Sequence, residues 1–251
     1  MADLTATALR LAIRQHGAIT TTQLAASGVS RTTTRRLVAV GSLTHALKSV
    51  YRLPTDGRSL EQRCAELCLG HRSAFVTGIT AGILMGLRSM PRRAAITLAC
   101  PHPLHLELHG VDLRRTTKVD ASDTITRDDG ITIASPERLA FDLAAQLSAR
   151  SHRAVLDQLL HEHGITPSVL GAIADRLCHP ARPGSAAFLR SLADVTDGPS
   201  ESAAERRVAE ALLARSVPVE SNRQWLELPG GGRARLDLAV PAVRWGDEID
   251  V

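Results

Sequence analysis

Three glycines, Gly17, Gly28 and Gly41, divide the start of the chain into short segments whose apolar residues have helical spacing. The first segment predicts a helix over residues 4–15, because its apolar side chains recur every three or four residues. Each glycine stands where a helix would end. Segments this short exclude long helices and favour a compact unit of small helices joined by tight turns.

Hydroxyl residues stand where the second and third helices would begin. The threonines at 20–22 precede residues 23–27, and Ser30 precedes residues 31–40. Side chains of this kind accept hydrogen bonds from the free N–H groups of a helix start. Because Gly28 supplies a tight turn between them, the two segments predict a helix-turn-helix.

The residues after Gly41 predict a β hairpin. This hairpin covers residues 43–53 and is followed by Pro54, and Lys48 and Arg52 are expected to project from it. The order of helix, helix-turn-helix and hairpin is that of a winged helix-turn-helix. In such modules one helix fits the major groove of duplex DNA.

The positive charge of the chain is concentrated in the same region. Residues 1–58 hold eight Arg and Lys and two Asp, a net charge of +6, whereas residues 59–199 are neutral and residues 200–251 carry −2. A basic module attracts the phosphate backbone of nucleic acid. The alternative interpretation is a solvated basic face on a small helical domain.

The third helix supplies most of the predicted contacts with DNA. Arginine side chains can hydrogen-bond base edges, and threonine hydroxyls can hold phosphates. Leu37 is expected to face the core, together with Thr33 and Val40. The predicted DNA-binding residues of this helix and of the hairpin are Arg31, Thr32, Thr34, Arg35, Arg36, Lys48 and Arg52.

The stretch from Gly17-Ala18-Ile19-Thr20 to Tyr51-Arg52-Leu53-Pro54 resembles the winged domain of AbiEi-type antitoxins of the type IV toxin–antitoxin group. The segments 74–81 and 135–144 resemble the second part of that family, so the similarity covers roughly residues 1–175. This resemblance implies a transcriptional regulator that binds double-stranded DNA. The alternative that it implies is a protein-binding antitoxin module that restrains a nucleotidyltransferase toxin.

Residues 59–178 predict a domain of the α+β class. The expected elements are helices at 64–69 and 73–85, two helices within 151–177, and strands at 94–99, 104–113, 124–126 and 131–133. Asp128-Asp129-Gly130 is a turn signal between the last two strands, which predicts a hairpin. Ser135 and Pro136 then begin another helix.

Two groups of possible metal ligands occur in this middle region. His105, Glu107 and His109 alternate, so a strand would place them on one face, and Cys64 and Cys68 lie one helical turn apart. We interpret the first group as an exposed polar strand face and the second as buried cysteines. No catalytic constellation is expected here.

The remainder of the chain divides into a linker and a third segment. Residues 179–199 are rich in Pro, Gly and Ser, which predicts a linker with a short helix near residues 186–192. Residues 200–251 predict a helix that runs to Arg215. Strands are expected at 222–228, 233–240 and 244–251.

Carboxylates are clustered in this third segment. Asp237 lies on the second predicted strand, Glu248 and Asp250 share one face of the third, and Glu205 lies on the helix. Pairing of the strands would bring the acids together, and clustered carboxylates suit Mg²⁺, which can activate water for phosphodiester hydrolysis. In the alternative interpretation Ser202-x-x-Glu205 is a capping box and Asp237 is a solvated strand residue.

The same segment resembles nucleases related to very-short-patch-repair endonucleases, within the restriction-endonuclease-like group. The motifs that carry the resemblance are Ser202 with Glu205-Arg206, Arg223-Gln224, Leu236-Asp237-Leu238 and Glu248-Ile249-Asp250. It implies that Asp237, Glu248 and Asp250 are metal ligands and catalytic acids, with Glu205 as the catalytic acid of the helix. Val251 replaces the family's glycine, Asp250 replaces a lysine of the wider pattern, and about half of the family's domain is matched. A partial α/β nuclease-like domain is therefore expected.

Other function classes are disfavoured by the sequence. It contains neither of the common glycine-rich phosphate-binding motifs, no serine-hydrolase elbow and no Cys-x-x-Cys. It also has no apolar run that could span a membrane and no secretory signal, so a cytoplasmic location is expected. We therefore predict an AbiEi-like transcriptional regulator with an incomplete nuclease-like domain. A Mg²⁺-dependent DNA endonuclease targeted by the winged helix is the alternative.

Overall fold

The chain folds into helices, antiparallel sheets and a mixed sheet, which confirms the predicted α+β class. The computed structural model describes residues 4–54, 57–88, 90–91, 95–101, 108–196, 203–221, 225–227, 233–236, 238–241 and 245–247. The chain packs as two compact units, residues 1–139 and 140–251. The domain limits predicted at residues 58, 178 and 199 stay a prediction.

The first unit begins with three short helices and a small sheet. Its first elements are α1 (Ala6–Arg14), β1 (Ala18–Thr20), α2 (Thr21–Ala26), α3 (Arg31–Ala39), β2 (Thr44–Leu47) and β3 (Val50–Arg52). The three strands form an antiparallel sheet in the order β1-β3-β2. The predicted hairpin is confirmed, whereas β1 is absent from the sequence prediction.

Each helix of this N-terminal module, residues 4–54, begins at a hydroxyl cap. Thr5 accepts a hydrogen bond from the N–H of Ala8, and Ser30 accepts one from the N–H of Thr33. Thr20 forms a capping box with Gln23. The buried residues between the helices form one apolar cluster of Ala8, Ala12, Ile19, Leu24, Val29, Leu37 and Leu43. Local capping thus starts each helix, and this shared core fixes their packing.

The rest of the first unit is built on a five-stranded sheet. Its elements are α4 (Leu60–Gly70), β4 (Phe75–Val76), α5 (Gly78–Leu84), β5 (Ile96–Pro101), β6 (Val111–Thr116), β7 (Thr124–Thr126) and β8 (Thr132–Ala134). The strand order is β6-β5-β4-β8-β7, with parallel β5–β6 and β4–β8 pairs. Helix α6 (Pro136–Leu143) follows and begins at Pro136 as predicted.

Two predictions for this sheet are wrong. The predicted helix over 73–85 contains the strand β4, because Phe75 and Val76 pair with β5 and Val76 also pairs with β8. In the described part of the strand predicted over 104–113, β6 begins at Val111, and His109 lies exposed in the preceding turn. His105 and Glu107 lie outside the described residues. The hairpin of β7 and β8 is confirmed as an antiparallel pair.

Helix α4 joins the N-terminal module to the five-stranded sheet. It packs against β1, β2 and β3 and also contacts β4. Cys64, Ala65 and Cys68 are buried in α4, and the Cys68 thiol donates to the carbonyl of Thr132 at 3.5 Å. The N-terminal module is therefore built into the first unit.

The second unit contains a helical part and two small sheets. Its elements after α6 are α7 (Ala149–Glu162), α8 (Pro167–Leu177), α9 (Ser185–Thr196), α10 (Ala203–Leu213), β9 (Glu220–Ser221), β10 (Trp225–Glu227), β11 (Arg233–Arg235), β12 (Leu238–Val240) and β13 (Trp245–Asp247). Strands β10 and β11 form a hairpin, and β13-β12-β9 form an antiparallel sheet.

Two parts of the second unit differ from the expected elements. The helix expected at 186–192 is longer, and its fully buried Phe188 packs edge-on against Phe141. This burial makes α9 part of the packed core of the unit. The single strand predicted over 233–240 is two strands, β11 and β12, in different sheets.

Candidate nucleic-acid interface

The turn between α2 and α3 sets the position of α3. Gly28 adopts a φ of 82°, which favours glycine, and the N–H of Val29 then donates to the carbonyl of Leu24 at 2.9 Å. The Thr5 hydroxyl donates to the carbonyl of Ser27 at 2.9 Å, which links the start of α1 to this turn. Val29 is buried in the core of the module. Backbone geometry, a long-range hydrogen bond and an apolar anchor therefore fix the start of α3.

A pair of amide side chains links α1 to α2. The Gln23 amide donates to the Oε1 of Gln15 at 2.7 Å, and the Gln15 amide donates to the carbonyl of Ala18 at 2.9 Å. Gln15 is buried, so each of these polar groups needs its partner. Gln23 also closes the capping box at Thr20. The second helix is thereby held by polar contacts as well as by Leu24.

The inward face of α3 differs from the sequence prediction at three positions. Thr34 is only 4% exposed, and its hydroxyl donates to the carbonyl of Ser30 at 2.9 Å. Thr33, predicted to face the core, is only half-buried, and Val40 is 63% exposed. Leu37 is buried as predicted. Thr34 faces the core, and its predicted role in DNA contact stays a prediction.

The outward face of α3, here called the α3 face, is basic around a line of small side chains. Its exposed residues are Arg31, Thr32, Arg35, Arg36 and Ala39. At about 100° per residue, Thr32 and Ala39 lie nearly above one another, and Arg35 and Arg36 flank them. In the described part of the chain, no carboxylate forms an ion pair with these arginines. Their guanidinium groups are free to meet an external acceptor.

The turn of the β2–β3 hairpin presents Lys48. Lys48 is exposed, and Ser49 beside it adopts a φ of 66°. The backbone N–H of Thr21 donates to the Ser49 carbonyl at 2.9 Å, and the Thr21 hydroxyl approaches the same oxygen at 3.3 Å. The start of α2 thus fixes the turn that carries this ammonium group.

Arg52, the other predicted contact of the hairpin, pairs with a carboxylate of the protein. Its guanidinium lies 3.6 Å from the Oε1 of Glu66 on α4, and Arg58 hydrogen-bonds the other oxygen of the same group. The Glu66 side chain is 3% exposed. A buried carboxylate needs such partners, so Arg52 neutralises Glu66 and is a structural residue.

The predicted metal site falls almost wholly outside the described part of the chain. Asp237, Glu248 and Asp250 lie outside the described residues, and Glu205 lies on α10 without a described side chain. The neighbouring strands β12 and β13 pair antiparallel, with Leu238 opposite Asp247. The described residues include no group of three His, Cys, Asp or Glu that could hold a metal ion.

The cysteines of α4 are confirmed as buried, free thiols. Burial raises the pKa of Cys64 far above its ordinary value and that of Cys68 to about 11. Protonated thiols are poor nucleophiles and poor metal ligands. These two side chains therefore act as small core residues.

Comparison with known proteins bears on the N-terminal module. Residues 7–54 match the model of a family described as transcriptional regulator, AbiEi antitoxin. The match contains the α3 face and Lys48. No curated protein matches the sequence significantly. Among solved structures, the RV2827C protein from Mycobacterium tuberculosis matches with a TM-score of 0.49 and 17% identity, over 82% of this chain and 81% of that chain.

One member of the α3 face was missed by the sequence prediction. Ala39 is exposed on the same line as Thr32, seven residues earlier. Seven residues make nearly two helical turns, so this spacing was a usable signal.

The structure also contains no helix, among the residues it describes, that is long and apolar enough to cross a membrane.

Proposed function

We propose that residues 4–54 form a winged helix-turn-helix that binds double-stranded DNA and that the chain is an AbiEi-type transcriptional regulator. The observation that carries this proposal is the set of unpaired cations on the α3 face and at Lys48. The family match over residues 7–54 supports it. Helix α3 has nine residues, about 14 Å of helix, which suits insertion into a major groove about 12 Å wide.

Electrostatics supplies the attraction between this module and DNA. Each cation that replaces a condensed counterion at a phosphate strengthens binding in a salt-dependent way. Arg31 lies in the first turn of α3 and Lys48 at the hairpin turn, and both are exposed. We assign these two side chains to phosphates on either side of the groove.

The test is duplex binding by fluorescence anisotropy at moderate salt. The triple variant Arg31→Ala, Arg35→Ala, Arg36→Ala is expected to lose binding, because it removes every guanidinium of the α3 face. The matched control is Arg14→Ala on α1, an exposed arginine of the same module. It should bind nearly as well as the wild type. Equal affinities for the wild type and the triple variant, with equal salt dependence, would overturn the proposal.

A Mg²⁺-dependent DNA endonuclease is the second candidate. The antiparallel pairing of β12 with β13 favours it, because Asp237 and Glu248 directly adjoin the paired residues Leu238 and Asp247 in the sequence. In this proposal Asp237, Glu248 and Asp250 would hold Mg²⁺, and Glu205 would be the fourth acid. A nicking assay with Mg²⁺ compares the wild type with Asp237→Ala. Absence of metal-dependent nicking by the wild type would rule out this function.

A toxin protein is the second partner that we propose, on the antitoxin part of the family description. Regulation of transcription and restraint of a toxin would both take place in the cytoplasm. Co-expression of the chain with the product of the adjacent gene tests this partner. Failure of the two proteins to co-purify would argue against it, and duplex binding would be unaffected.

A further inference from the structure

The α3 face carries side chains that suit one kind of base. We propose that Arg35 and Arg36 read guanine in the major groove and that Arg31 and Lys48 bind phosphates. This inference rests on the proposed function and names the DNA that the module selects.

The composition of α3 limits which bases it can recognise. Its sequence, Arg-Thr-Thr-Thr-Arg-Arg-Leu-Val-Ala, contains no Asn or Gln, the usual readers of adenine. It also contains no Asp or Glu, which would accept from cytosine. Arginine is the common bidentate donor to the O6 and N7 atoms of guanine. The strongest base contacts open to this helix are therefore guanine contacts.

The arrangement of the face favours Arg35 and Arg36 for this role. Both flank the line of Thr32 and Ala39, which is the part of α3 turned furthest from Leu37 and the core. Short side chains on that line let the helix backbone approach the floor of the groove. The long guanidinium arms on either side can then reach base edges, and no described carboxylate competes for them.

Arg31 differs in its position on the helix. It is the first residue of α3, next to the Ser30 cap, and lies to one side of the line of small residues. At about 100° per residue it is turned about 100° away from Thr32, so its guanidinium points to the side of the groove, where the phosphates lie. Arg31 therefore provides an internal comparison, since it carries the same charge on the same helix without the predicted base contact.

The experiment uses the full chain and two steps. Binding sites are first selected from a random duplex library, and each selected guanine is then replaced by 7-deazaguanine, which lacks the N7 acceptor. We expect guanine to be enriched at two or more positions. Replacement at those positions removes one of the two acceptors of a bidentate contact, so it should weaken binding by about 2- to 12-fold, which corresponds to half of the free energy of such a contact.

Variants assign the contacts to side chains. When one selected guanine is replaced, Arg35→Ala should bind the natural duplex and the 7-deazaguanine duplex equally. Arg36→Ala should do so when another selected guanine is replaced. Arg31→Ala should weaken binding to both duplexes and keep the full difference between them. Arg14→Ala should reproduce the wild type.

The outcomes separate this inference from the proposed function. Tight duplex binding without guanine enrichment, or without any effect of 7-deazaguanine, would overturn guanine reading and leave DNA binding standing. Full sensitivity to 7-deazaguanine in both Arg35→Ala and Arg36→Ala would overturn the assignment to these residues. Failure of the wild type to bind any duplex would overturn both proposals.

Discussion

The arginines of the α3 face and those of the surrounding first unit have opposite environments. Arg35 and Arg36 are exposed and meet no carboxylate among the described residues. Arg52 and Arg58 share the buried Glu66, and Arg138 lies 3.1 Å from the buried Asp123. In the proposed function the same residue type therefore serves recognition in one place and folding in the other, and its partners decide which.

This difference also changes the meaning of the net charge. The value of +6 for residues 1–58 counts Arg52 and Arg58, although both pair with Glu66 beyond that segment. The cations of the module that pair with no described carboxylate therefore lie on α3, at the hairpin turn and on α1, and the proposed DNA contacts use only those of α3 and the turn. The ion pairs of individual arginines therefore describe the basic surface better than the net charge of the segment does.

The largest expected effect concerns the paired region. Asp123→Ala leaves the Arg138 guanidinium buried without its carboxylate, and both side chains are at most 2% exposed. Loss of one partner of a buried pair costs about 3–5 kcal/mol. Urea denaturation should show a drop of this size. The folded fraction of the variant should bind duplex DNA with wild-type affinity, and a change below about 0.5 kcal/mol in stability would contradict the structural role.

A smaller loss is expected for Arg52→Ala. Glu66 would keep Arg58 but lose its second cation, and the Arg52 side chain is partly exposed, so we expect a decrease of roughly 1–2 kcal/mol. Thermal and urea unfolding measure it. Arg58 makes the direct hydrogen bond to the other oxygen of Glu66, so Arg58→Ala is the comparison and should cost at least as much. A stable Arg52→Ala protein that no longer binds DNA would reverse our assignment.

A pH effect is expected at the contact between the N-terminal module and the β7–β8 hairpin. Burial alone would raise the pKa of Asp129. Hydrogen bonds from His16 and from the N–H of Ile131, together with the charge of Arg127, lower it by more, so the pKa lies below its ordinary value. A carboxyl group with a lowered pKa stabilises the fold above its unfolded pKa, and this contribution is lost as the pH falls through the folded pKa.

Asp129→Asn tests this contact by urea unfolding between about pH 3 and pH 7. The variant should be less stable than the wild type at neutral pH. The difference between them should shrink below about pH 4, where the wild-type carboxylate becomes protonated. A difference that stays constant over the whole range would show that the charge of Asp129 does not contribute.

The smallest expected effect on stability belongs to the α3 face. The triple variant Arg31→Ala, Arg35→Ala, Arg36→Ala removes exposed groups without protein partners and adds good helix formers, so its stability should stay within about 0.5 kcal/mol of the wild type. Circular dichroism during heating measures this. A large loss would mean that these arginines hold the fold together, as Arg138 does.

The parts of the fold that the sequence predicts are those with local causes. Thr20 and Ser30 cap their helices, Gly28 makes the turn between them, and Asp128-Asp129-Gly130 makes the hairpin turn. Each of these signals lies within a few residues of its effect. Helix starts and tight turns are therefore readable without knowledge of the tertiary structure.

The failures depend on contacts between distant residues. Strand β1 exists because it pairs with β3, and β4 exists because Phe75 and Val76 pair with strands that follow much later in the chain. Thr34 and Thr32 are equivalent by composition, and only the packing of α3 decides which one is buried. The pairing of Arg52 with Glu66 is likewise absent from the sequence prediction, because Glu66 becomes its neighbour only when α4 packs on the sheet.

The central claim is that the unpaired cations of the α3 face and of the hairpin turn bind DNA and that the paired Arg52 does not. The most direct test is the salt dependence of duplex binding for the wild type, the double variant Arg31→Ala, Lys48→Ala and the single variant Arg52→Ala. The slope of log K against log salt should decrease in magnitude by about two for the double variant, one per lost phosphate contact. It should be unchanged for Arg52→Ala. Equal slopes for the wild type and the double variant, or a decrease confined to Arg52→Ala, would contradict the account.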